Sequence, residues 1–129
     1  KVHGDVSNGG YLLTQRDDAT VTLMASGSEV MLCLQTACVL EDKGIKCNIV
    51  SVPCFDLLCE QDKEYIDTII NPSHTVIAVE MATAMEYYKF ADHVIGMTGF
   101  GESGPANELF EKFGFTKEQL SQNIANYLA

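Results

Sequence analysis

The sequence predicts a three-layer α/β domain with a mostly parallel sheet. Three observations carry that prediction. Strand-like and helix-like patterns alternate along the chain. The strand candidates are apolar enough for a sheet covered on both faces. Residues 20–52 form a strand-helix-strand unit with the length of a right-handed parallel crossover. At 129 residues the chain is one ordinary domain. A domain of this size buries roughly two-thirds of the surface its unfolded chain exposes.

Residues 1–19 are polar and glycine-rich and read as an N-terminal linker with a candidate edge strand at Tyr11-Leu12-Leu13. The domain proper is expected over 20–129. Thr20 to Ala25 reads as a buried strand that Ser26-Gly27-Ser28 ends. Glu29 to Lys43 reads as a helix, because Val30, Leu34, Ala37 and Leu40 recur at helical spacing. Either Ser26 or Ser28 is placed to cap it through its side-chain oxygen, and Gly44 suits the left-handed position just past its end. Ile45 to Val52 is the second strand, Pro53 to Glu60 a loop, and Gln61 to Ile70 a short helix stopped by Asn71-Pro72-Ser73. Thr75 to Glu80 is the third strand, Ala82 to Phe90 a helix, and Val94 to Met97 a short fourth strand. Thr98 to Pro105 is the least regular stretch. Pro105 suits a helix start that continues over Ala106 to Phe113. Thr116 and Gln119 form a capping pair for a last helix over Lys117 to Leu128, with Leu120, Ile124 and Leu128 on one face.

Charge narrows the function classes. Eight Lys and Arg against 18 Asp and Glu give a formal net charge of -10. A protein that grips nucleic acid or anionic lipid needs a positive footprint, so neither partner is expected. No apolar run approaches the ~20 residues of a membrane-spanning helix, and no signal peptide is visible. The chain begins without methionine, which points to a processed chain or a piece of a larger one. Its five cysteines, Cys33, Cys38, Cys47, Cys54 and Cys59, are odd in number and lack metal-ligand spacing. They read as apolar fillers in a reducing, cytoplasmic compartment.

Few residues suggest chemistry. Ser26-Gly27-Ser28 lies where a parallel sheet places a ligand, after a strand and before a helix, so it is a candidate small-anion site. It lacks a glycine-rich dinucleotide fingerprint and a phosphate-binding lysine. Glu80 ends a strand at the same edge and reads as a loop or helix-start contact, Glu86 as a solvated residue. His74 and His93 each precede a strand and read as surface or strand-end residues, with nothing to promote a serine-histidine site. Tyr87, Tyr88, Phe100 and Phe110 are candidates for an apolar docking face, the alternative for each being the domain's own core. No catalytic, cofactor-binding or metal-ligating residue stands out.

One resemblance is far more specific. Gly96-Met97-Thr98-Gly99-Phe100-Gly101-Glu102-Ser103-Gly104-Pro105-Ala106, followed by Glu108 to Thr116, resembles the end of transketolases. Leu23-Met24-Ala25-Ser26-Gly27-Ser28-Glu29-Val30, Val50-Ser51-Val52-Pro53, and Val79-Glu80 with Tyr87-Tyr88-Lys89 fit the same family in the same order. The likeness covers the chain from about Gly10 onward. Gly99, Gly104 and Asn107 depart from the residues most frequent in that family, at positions with no catalytic role.

The resemblance implies a C-terminal domain with a five-stranded, mostly parallel sheet and one antiparallel edge strand. It implies a parent enzyme that transfers a two-carbon ketol unit between sugar phosphates in the pentose phosphate pathway. Such a parent uses thiamine diphosphate and a divalent cation (Mg or Ca) bound between the subunits of a homodimer. None of the motifs that hold those groups is in this sequence, so the resemblance implies no cofactor in this piece. Its partners would be the other transketolase domains and the second subunit. The competing reading is a free-standing α/β module that binds a small anion, a regulator or a partner.

Overall fold

The computed structural model describes residues 4–80, 85–96 and 116–129. Its strands are Tyr11–Thr14 (β1), Val21–Ala25 (β2), Cys47–Ser51 (β3), Thr75–Glu80 (β4) and His93–Gly96 (β5). They form one sheet in the order β1-β3-β2-β4-β5. β1 is antiparallel to β3, and every other pairing is parallel. The helices are Ser28–Asp42 (α1), Phe55–Cys59 (α2), Lys63–Ile69 (α3) and Lys117–Leu128 (α4), with 3-10 turns at Val6–Asn8 and Met85–Lys89. This is the three-layer α/β/α arrangement that the sequence predicts.

Successive strand residues point to opposite faces, and both faces are dry. Val21, Leu23, Ala25, Ile49, Ile77 and Val79 meet Leu32, Cys33 and Leu40 of α1 and Leu120 and Ile124 of α4. Met24, Val50, Val76 and Ala78 point the other way. They meet Leu58 of α2, Ile69 of α3, Ile70, Tyr87 and Ala91.

Several boundaries follow from local chemistry. Gly44 takes φ +84 after α1, and its N–H reaches the Glu41 carbonyl. That backbone conformation is cheap for glycine and costly for other residues. Asp62 caps α3 by accepting from the Tyr65 N–H at 2.9 Å. At α4 the Thr116 hydroxyl oxygen accepts from the Gln119 N–H at 3.2 Å, and the hydroxyl donates to Gln119 Oε1 at 3.0 Å. Thr116 and Gln119 are therefore joined, although the glutamine returns to the hydroxyl rather than to the backbone.

Three sequence expectations need correction. Residues 53–60 are not all loop, since α2 occupies five of them and sets Leu58 at 0% exposure. One helical turn is too short to show a period, and what holds it is tertiary. Leu58 lies against Gly9 and Gly10: a side chain at Gly9 would collide with the α2 backbone, and one at Gly10 would press on the Leu58 side chain. The helix expected over 61–70 starts at Lys63, where Asp62 can cap it. The helix expected over 82–90 is described only from Met85, as a 3-10 turn. The helix expected over 106–113 and the glycine stretch before it lie outside the described residues.

Candidate functional site at the carboxyl edge of the sheet

β2 and β4 run in register, with Ala25 beside Val79. Ser26 and Glu80 therefore meet at the carboxyl edge. The Ser26 N–H and hydroxyl both donate to Glu80 Oε2, at 3.2 and 2.8 Å. Glu80 is 9% exposed, and burial pushes its carboxyl above the usual range. The hydrogen bonds from Ser26 and Tyr87 oppose that rise, while the Glu29 carboxylate adds to it. Tyr87 is 8% exposed, and its ring packs on Phe55 at 4.7 Å between centroids. Burial and the neighbouring carboxylates push its hydroxyl far above the ordinary phenol range.

Serine does not cap α1. Gly27 is the capping residue, at φ +58, and no side chain bonds there. The reason is competition, since the Ser26 hydroxyl is drawn to the Glu80 carboxylate. Glu29 in the first turn is buried and suits the positive end of the helix dipole.

This edge thus holds a carboxyl group of its own. A phosphate at Ser26-Gly27-Ser28 would meet donors already committed to Glu80 and a carboxylate that repels it. The same donor set does not suit the diphosphate of thiamine diphosphate. Among the described residues no three His, Cys, Asp or Glu converge as metal ligands.

The remaining candidates are scattered. His74 Nδ1 is 2.9 Å from the Thr22 hydroxyl at the opposite edge of the sheet. Burial lowers its pKa, and a hydrogen bond with the Ala19 backbone pulls the other way. His93 stacks on Tyr127 with centroids 4.2 Å apart. Cys33 and Cys47 are buried, Cys38 is exposed, and all five cysteines are free thiols. Burial holds the Cys33 thiol far above its ordinary range and pushes Cys47 up to about 12, so neither is a nucleophile. Tyr87 takes the core alternative, Tyr88 is 51% exposed, and Phe100 and Phe110 lie outside the described residues.

Known proteins match this architecture along almost its whole length. The family described as the transketolase-like TK C-terminal domain matches residues 9–116. The chain belongs to the transketolase family. Transketolase 1 of Vibrio vulnificus is 40% identical over 130 residues, covering 97% of this chain and 20% of that protein. The probable transketolase of Schizosaccharomyces pombe is 35% identical and covers 88% of this chain. The crystal structure of Campylobacter jejuni transketolase is 48% identical with a TM-score of 0.88, over 96% of this chain and 19% of that one. The chain therefore spans about a fifth of the length of the transketolases it matches, and it corresponds to their C-terminal domain.

The tie from Glu80 to Ser26 and Tyr87 was not legible as a unit. Glu80 at a strand end is a visible signal, but Ser26 lies 54 residues away and meets it only through the register of two parallel strands.

Proposed function

We propose that this transketolase C-terminal domain serves its parent by packing and carries none of the chemistry. The observation that carries this reading is coverage. Nearly the whole chain matches transketolase, yet it accounts for only a fifth of the enzyme. The edge where an α/β sheet ordinarily receives a ligand supports it, because the Ser26 donors are spent on Glu80.

In this reading the whole protein moves a two-carbon ketol unit between sugar phosphates in the cytoplasm. Thiamine diphosphate and a divalent cation are held by residues outside this chain. The domain's partners are the other transketolase domains and the second subunit of a homodimer. Tyr88, exposed beside the buried Tyr87, together with Phe100 and Phe110, would form part of the face turned to them.

Immunoblotting of the native cell with an antibody to this domain tests the reading. It predicts a product about five times the 14.1 kDa of this chain. A native product of 14.1 kDa would overturn it and favour a free-standing module.

A further inference from the structure

The last residue of β4 presents a carboxylate to three other parts of the fold. The β2 exit brings the Ser26 N–H and hydroxyl, both closing on Glu80 Oε2. The 3-10 turn brings the buried Tyr87 beside Ser26 and Glu80, with its ring packed on Phe55. Helix α1 brings Glu29, a second buried carboxyl group, and the thiol of Cys33.

The geometry points to a proton-sensitive tie at the carboxyl edge. Glu80 joins the β2–α1 turn to the Met85–Lys89 turn, and gain or loss of one proton on its carboxyl resets how firmly they are joined. Ionised, Glu80 accepts from Ser26 but is disfavoured by burial and by the Glu29 carboxylate. Protonated on Oε1, it keeps Oε2 for both Ser26 donors and loses the repulsion. The upward shift from burial and from Glu29 agrees with that balance. A carboxyl raised in the folded state stabilises fully below its unfolded value, and the contribution is lost as pH rises through the folded value. Cys33 stays a neutral thiol and Tyr87 a neutral phenol throughout, so neither supplies the proton step assigned to Glu80.

The test is an NMR titration of the chain from acid to mildly alkaline pH. It follows the Glu80 carboxyl carbon and the Ser26 amide. Both are expected to move together, with a midpoint above the ordinary glutamate value of 4.5. Glu29→Gln should lower that midpoint by removing repulsion. Tyr87→Phe should raise it by removing a donor to the ionised form. Glu80→Gln should abolish the Ser26 step and leave the rest of the spectrum in place. If that variant does not fold, the wild-type titration and the two opposite shifts decide. A Ser26 amide that stays flat, a midpoint at the ordinary value, or shifts of the wrong sign would overturn the proposal.

Discussion

The two faces of the sheet are built differently. One is covered by α1 and α4, of 15 and 12 residues, which press aliphatic stripes on Leu23, Ile49 and Ile77. Among the described residues, the other is covered by helices of five and seven residues and a 3-10 turn. It is held by contacts between residues distant in sequence, such as the Tyr65 hydroxyl donating to the Gly10 carbonyl at 2.6 Å. Phe55 likewise meets both Tyr87 and Phe90. Long helices draw stability from many small contacts. Short ones depend on a few close fits, so single changes there should weigh more.

Glycine gives the sharpest form of that contrast. Gly9 and Gly44 both adopt positive φ, at +91 and +84. A methyl group at Gly9 would collide with the Leu58 backbone nitrogen and the Cys54 carbonyl, whereas at Gly44 it meets nothing within 4 Å. Gly9→Ala should therefore cost about 3 kcal/mol or more, and Gly44→Ala only about 1 kcal/mol. Urea unfolding of both variants checks this, and equal losses would break the comparison.

A smaller effect is expected at Tyr65. Its hydroxyl donates to Gly10 and accepts from the Asp5 N–H at 3.2 Å, tying α3 to the chain before β1. Tyr65→Phe keeps the ring and should cost about 1 kcal/mol. Amide exchange should quicken at Asp5 and along β1 while α1 and α4 stay protected. Uniform quickening would mean that the two faces open as one.

The smallest effect is at His74. Its folded pKa is lowered, so the unfolded chain takes the proton first as pH falls. Stability should decline as pH drops through the ordinary histidine range, levelling once the folded state is also protonated. Glu80, at the other end of β4, works with the opposite sign. The comparison is therefore the wild type against His74→Gln by urea unfolding across that range. The gap between them should change in acid, and a constant gap would count against the assignment.

What the sequence showed follows the same division. α1 and α4 are long enough for a 3.6-residue period, and Gly44 and Thr116 mark their ends, so both were legible. The central strands were legible because a sheet buried on both faces leaves them uninterrupted apolar runs. α2 was not, since one turn carries no period and its cause, Leu58 fitting at Gly9 and Gly10, lies about 50 residues upstream. At the carboxyl edge the residues were visible but their pairing was not. Ser26 looked like a cap, and it became a partner of Glu80 because strand register brings the two together.

The central claim is that this transketolase domain contributes packing and no chemistry. The most direct measurement is ketol transfer by the purified 129-residue chain, supplied with sugar phosphates, thiamine diphosphate and magnesium. The account predicts no turnover above the protein-free control. Measurable transfer by this chain alone would contradict it.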